Sequence, residues 1–208
     1  MKINYQLEME KEIKNIIDAG KTPRLLLHSC CGPCSSYVID YLMDYFDIDV
    51  YFYNPNIYPK DEYLLRKKEQ LRLINELNSK NHLGIIDDDY NYEMFKCFTS
   101  GMDLEPEGGL RCVKCIYHRM KMTAIKASEG YDYFTTTLSV SPHKNSQIIN
   151  KLGIELSEEH GPIFLKSDFK KKEGYKKSIQ ISKEHDLYRQ DYCGCEFSKI
   201  ESDKRNER

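Results

Sequence analysis

No stretch of this 208-residue sequence stays apolar for long: the longest uninterrupted aliphatic run is Leu25 to Leu27. That is far short of the roughly 18 to 20 residues needed to cross a bilayer, so no membrane span is expected. There is also no excess of charge of either sign, because 31 Lys and Arg stand against 33 Asp and Glu, a formal net charge of −2, with 40% hydrophobic residues. This balance excludes the highly charged, apolar-poor composition of a disordered chain. The opening MKINYQLEMEKEIKNIIDAG alternates charges with isolated apolar residues and lacks the apolar core of an export signal. A cytoplasmic chain is the expectation. Repeats, low-complexity segments and clear linkers are missing too, and the length fits one domain.

What the sequence has in unusual number is cysteine. Eight are present, and Cys30, Cys31, Cys34, Cys112, Cys115, Cys193 and Cys195 fall in three tight groups, CCGPC, CVKC and CGC, with Cys97 alone in FKCFTS. A disulfide framework spreads its cysteines to close long loops, and a reducing cytosol disfavours one in any case. Metal or cluster ligation, or redox chemistry, is the expected use. Seven thiolates exceed the four that one tetrahedral ion takes. They suffice for a 4Fe–4S cluster with four and a second metal ion with three. A zinc site beside a redox dithiol is the competing arithmetic. The CxxxCxxC signature of radical S-adenosylmethionine enzymes is absent, and Cys97 reads as a packed core thiol.

Hydrophobic periodicity places these groups. Residues 4–19 read as an amphipathic helix with Met9, Ile13, Ile16 and Ile17 on one face. Strands are expected near 24–30, 47–53, 84–90, 131–140 and 162–166, and helices near 35–46, 60–80, 91–100, 112–130, 145–152 and 173–186, with GMDLEPEGGL (101–110) as a loop. Alternating strands and helices point to an α/β fold with a doubly wound, mainly parallel sheet of Rossmann-like type. The segmentation is an N-terminal docking helix (1–23), a catalytic α/β unit (24–198) and a flexible charged tail (199–208). In such sheets ligands bind beyond the carboxyl ends of the strands, where HSCCGPC, FYNPN, DDD and TTTLSVSPHKN all fall.

Taken together, HSCCGPC, EGGLRCVKC, TTTLSVSPHKN, DFKKKEGY and LYRQDYCGC closely resemble the QueH-type epoxyqueuosine reductases. The resemblance covers residues 24 to about 198. It implies a fold similar to the PP-loop, or adenine nucleotide hydrolase-like, group. It also implies cobalamin-independent, two-electron reduction of epoxyqueuosine to queuosine at the wobble position of tRNA, with a 4Fe–4S cluster beside a separate metal ion, taken as iron. An external donor of the ferredoxin or flavodoxin type is the expected source of low-potential electrons. Relatives can carry Asp at the position of Cys34, which suits a harder lone ion better than a cluster. Cys34 is therefore assigned to the lone metal and Cys112 and Cys115 to the cluster, with one each of Cys30/Cys31 and Cys193/Cys195 going to either centre; Cys31 and Cys195 are the candidates for the lone ion.

His143, Tyr192 and Tyr58 are the candidate proton donors by residue type and loop position; the other reading of His143 is a hydrogen bond to the backbone of its own turn. Glu107 and Arg111 are read either as orienting the loop or as a structural ion pair. Lys144, Lys170, Lys171, Lys172, Tyr175, Lys176 and Lys177 form the candidate tRNA surface, against the plainer reading of a solvated lysine run. Two rivals stand beside the reductase. An ATP-dependent tRNA thiolase of the PP-loop type needs an SGG-x-DS phosphate loop where HSCCGPCSS stands, so no ATP binding is expected. A zinc-stabilised RNA-binding module is the other.

Overall fold

The computed structural model describes residues 3–207. Met1, Lys2 and Arg208, at the ends of the segments read as docking helix and tail, lie outside it. In chain order the elements are α1 (Tyr5–Asp18), β1 (Arg24–His28), α2 (Gly32–Leu42), β2 (Asp47–Phe52), α3 (Lys60–Glu76), β3 (Leu83–Asp87), α4 (Tyr92–Thr99), α5 (Leu110–Ala127), β4 (Tyr133–Thr136), α6 (Ser146–His160), β5 (Ile163–Phe164), α7 (Gly174–Glu184) and α8 (Glu196–Asn206).

The five strands form one all-parallel sheet in the order β3-β2-β1-β4-β5. A parallel sheet covered on both faces needs strands that are apolar on both sides. RLLLH meets that need. Leu25 and Leu27 join Met9, Ile13, Val38, Ile48 and Val50 in one buried cluster, while Leu26 packs on the other face with Met120, Ala124, Phe134 and Ile149. The expected doubly wound α/β architecture is the one observed. Among the described residues no helix is long and apolar enough to cross a membrane.

The differences have local causes. The β-rich stretch 131–140 is strand only to Thr136, because the Thr136 Oγ1 accepts from the Leu138 N–H and starts a 3₁₀ turn over Thr137–Val140. The helix expected near 145–152 runs on to His160; Asn145 caps its first turn, and it stops at Gly161, whose φ is +100°. Helix α2 starts three residues early, at Gly32, with Pro33 in the first turn where a missing N–H costs nothing. Ile17 is exposed although Met9, Ile13 and Ile16 are buried.

The charged C-terminal residues form α8 instead of a loose tail. Ser202 Oγ and Asn206 Nδ2 both donate to the Asp191 carboxylate, at 2.9 and 3.1 Å, and tie the helix to the segment before it.

Candidate thiol-rich active site

The sheet order reverses between β1 and β4, and the crevice beyond the carboxyl ends of those two strands is where ligands bind in this architecture. His28, the last residue of β1, is buried there. Its Nδ1 meets Thr136 Oγ1 at 2.8 Å and its Nε2 meets the Tyr53 carbonyl at 3.3 Å, so the ring cross-ties β1, β4 and the end of β2. Burial pushes its pKa down to about 3, and the imidazole is neutral.

Three helices begin at this crevice, each with a cysteine at its start. Cys31 is the N-cap of α2, Cys112 lies in the first turn of α5, and Cys195 is the N-cap of α8. Unpaired N–H groups and the positive end of the helix dipole favour thiolates at such positions.

The sulfurs of Cys30, Cys31 and Cys34 lie within 4.8 Å of one another. Cys112, Cys115, Cys193 and Cys195 line a cavity of about 100 Å³ together with Asn56, Arg119, His143 and Lys144. At ~30 Å³ per liquid water that is space for roughly three. A wider cavity of about 490 Å³ adjoins it, walled by Cys30, Cys34 and Cys193, with Tyr175, Gln190 and Tyr192. The division expected from sequence, one of each pair to either centre, differs from this arrangement: Cys31 lies with Cys30 and Cys34, and Cys195 lies with Cys112 and Cys115. Adjacency in CCGPC and the tight CGC turn keep each group together. Cys97, expected in the core, is exposed on α4.

Positive charge is buried beside these sulfurs. Arg119 is 2% exposed and donates to the Cys115 carbonyl at 3.3 Å and to Asn54 Oδ1 at 3.4 Å. Burial works against its charge, but Cys115, Cys193 and Cys30 surround it and hold its pKa above the ordinary value. A buried cation needs a buried anion. Among the described residues no carboxylate pairs with Arg119, and the groups that face it are the sulfurs of Cys115, Cys193 and Cys30. Lys144 Nζ sits 3.2 Å from Cys193 Sγ, which raises the lysine pKa. Cys30 is held well below the usual thiol range by hydrogen bonds from Cys31 and Cys34. The same sharing pushes Cys31 up to about 12 and Cys34 up as well. Metal ligation would require all three to be deprotonated. Seven thiols at three helix starts with buried Arg119 and half-buried Lys144 among them form a donor set that fits an iron–sulfur cluster and a neighbouring metal ion.

The remaining expected residues divide. His143 is exposed and lines both cavities. The Tyr192 ring lines the wider one, but its hydroxyl donates to the Tyr58 carbonyl at 2.8 Å and burial pushes its pKa up to about 12. Tyr58 lines neither cavity and packs on Tyr92, ring centroids 5.1 Å apart. Lys144, read from sequence as part of the surface patch, points at Cys193. Lys170 is tied to the Ser139 and Lys144 carbonyls and to Asp168. Lys172 pairs with Glu10 and Lys176 with Glu173. Lys171 and Lys177 are exposed, and Tyr175 reaches the wider cavity. Glu107 lines both cavities, and Arg111 donates to the Met102 and Asp103 carbonyls instead of pairing with it.

Sequence reading missed Arg66, Asn56 and Gln190. Gln190 Nε2 donates to Cys31 Sγ at 3.0 Å and joins the third cysteine group to the first. Only the order LYRQDYCGC hinted at it.

A family model described as epoxyqueuosine reductase QueH matches residues 25–201. The protein named epoxyqueuosine reductase QueH from Staphylococcus epidermidis is 43% identical over 202 residues, 95% of this chain and 85% of its own length. The one from Streptococcus pyogenes serotype M1 is 43% identical over 200 residues, 95% of this chain and 78% of its own. That from Thermotoga maritima is 35% identical over 181 residues, covering 85% and 91%.

Proposed function

The chain belongs to the epoxyqueuosine reductase QueH family, and on that footing we propose that it is the oxidoreductase that converts epoxyqueuosine to queuosine in the wobble position of tRNA. The observation that carries the reading is the gathering of three cysteine groups at the sheet's switch point, with buried Arg119 beside Cys115, Cys193 and Cys30. The reaction breaks both epoxide C–O bonds and restores a carbon–carbon double bond. It consumes two electrons and two protons, and the oxygen leaves as water. Bound here, a 4Fe–4S cluster would supply electrons one at a time and an adjacent metal ion would supply Lewis acidity.

The chain's own residues supply the rest. Cys112 and Cys115 would hold the cluster and Cys34 the lone ion, with Cys30, Cys31, Cys193 and Cys195 completing the two sets. Arg119 and Lys144 offset the negative charge that the ligands gather. His143 is exposed where the two cavities meet and is placed to carry a proton from solvent. Tyr192, whose hydroxyl is already committed, is the poorer acid. Tyr175 at the wider mouth, with Lys171 and Lys177 outside it, is the proposed approach for a tRNA loop, one base stacking on the ring. The electrons come from an external low-potential donor.

The test is anaerobic purification with iron and sulfide counted per chain, then incubation with epoxyqueuosine-containing tRNA and a low-potential reductant, without cobalamin or ATP. Four or more irons and conversion to queuosine are expected. Zinc without sulfide and an intact epoxide would leave the RNA-binding module as the better account. The ligand assignment has its own test: Cys34→Asp is expected to keep the cluster's sulfide content and visible absorption while altering only the extra metal. A lost cluster overturns it.

A further inference from the structure

The turn Asn54-Pro55-Asn56 after β2 contains two buried asparagines with opposite circumstances. Asn54 spends its amide on the fold, Nδ2 donating to the Ser29 carbonyl at 2.8 Å and Oδ1 accepting from Arg119 at 3.4 Å. Asn56 is equally buried, 2% exposed, yet its Oδ1 has no hydrogen-bond partner. It lines the cavity that holds Cys112, Cys115, Cys193 and Cys195. A buried carbonyl oxygen without a donor is costly to keep, and such orphans call for a reason.

The cavity wall explains what is missing. Arg119 and Lys144 beside Asn56 carry donors only. Glu107, Asn145 and the cysteine sulfurs offer acceptors on the same wall, but the Asn56 oxygen is the one that is buried, fixed and left without a donor. The ligand that satisfies it must bring an N–H or O–H.

We infer that Asn56 is a specificity-determining residue whose Oδ1 accepts a hydrogen bond from a hydroxyl on the cyclopentane ring that carries the epoxide. This rests on the reductase reading above. The ring hydroxyls are donors close to the reacting carbons, and an acceptor on the thiol cavity's wall orients the ring with its epoxide toward the donors Arg119 and Lys144. A site built around such an acceptor binds an analogue without the hydroxyl poorly, because the oxygen is then buried unpaired.

The experiment compares wild type, Asn56→Ala and Asn56→Asp, each purified anaerobically, for kcat and KM on epoxyqueuosine-containing tRNA and for iron and sulfide per chain. Asn56→Ala is expected to lose about tenfold in kcat/KM, the worth of one hydrogen bond, at unchanged iron and sulfide. Asn56→Asp retains acceptor oxygens and is expected to recover most of that loss. Alanine at the wild-type rate, aspartate no better than alanine, or iron falling in step with activity would each overturn the inference, the last by making Asn56 a support of the metal centre. A wild type that holds its iron but leaves the epoxide intact defeats the reductase reading, and this inference with it. That outcome is recognised before any variant is compared.

Discussion

Replacing Gly194 by alanine is expected to lower epoxide reduction about a hundredfold and to reduce the iron bound per chain, while far-UV circular dichroism stays that of the wild type. Gly194 separates Cys193 from Cys195 and has φ +136°, a conformation that side chains with a Cβ rarely adopt. A Cβ built there meets Arg66 Nη1, Asn56 Nδ2 and Ile57 Cγ1, all at 3.2 Å. Strain of this kind costs on the order of 1–3 kcal/mol, small against the fold but concentrated in the turn that aims two thiols. The turn is held on both sides, since the Gly194 carbonyl accepts from the Tyr58 N–H at 2.8 Å and its own N–H donates to Ser198 Oγ at 3.2 Å. It relieves the strain only by moving Cys193 or Cys195. A misplacement of about 1 Å at a reacting centre is worth about 10²-fold in rate. Iron at the wild-type level with full activity would mean that the turn adapts and that CGC needs no glycine.

The CGC group is one feature that the sequence made readable, because three cysteine groups with fixed short spacings declare themselves without any knowledge of the fold. The strands did so too: Leu25 to Leu27 form a short apolar run bounded by Arg24 and the HSCCGPC turn, and that run is the centre of the sheet. What could not be read is everything that depends on partners remote in the chain. Arg66 reaches the Cys193 carbonyl across 127 positions, and Arg119 reaches Asn54 across 65. Each is one arginine among many until the sheet order brings its partner near. Lys144 was misread for the same reason, since beside the run at 165–177 it looks like surface charge, yet Cys193 lies 49 positions away and touches it. Helix α8 was hidden by its charges. Its anchor is Asp191, outside the helix, and no periodicity within EFSKIESDKRN reports that contact.

Arg66→Met is expected to cost about 3–5 kcal/mol of stability, the range for removing one partner of a buried ion pair, and to lower Tm by about 10 °C for a chain of this size. The Arg66 side chain is 1% exposed. Its Nε donates to Glu62 Oε1 at 2.7 Å, Nη1 to the Cys193 carbonyl at 3.2 Å and Nη2 to the Tyr192 carbonyl at 3.4 Å, while its guanidinium lies 5.0 Å from the Tyr192 ring centroid. Burial opposes the charge, but Cys31 and Glu62 more than restore it and hold the guanidinium above its ordinary pKa. Methionine fills much of the volume and leaves Glu62 and two carbonyls without their donor. Glu62 keeps one partner, the Tyr188 hydroxyl at 3.0 Å. The same helix face continues the grip, with Glu69 accepting from the Tyr188 N–H and Arg72 donating to the His185 and Asp186 carbonyls. Through these contacts α3 clasps the otherwise irregular segment that carries CGC. Arg66→Lys keeps the charge but not the planar fork, so it is expected to recover part of the stability and little of the geometry. Thermal unfolding of Arg66→Met, Glu62→Gln and the double variant isolates the pair. A coupling energy near zero would show that the arginine acts through the two carbonyls alone, and an Arg66→Met variant as stable as wild type would remove the clasp from the account of how the third cysteine group is held.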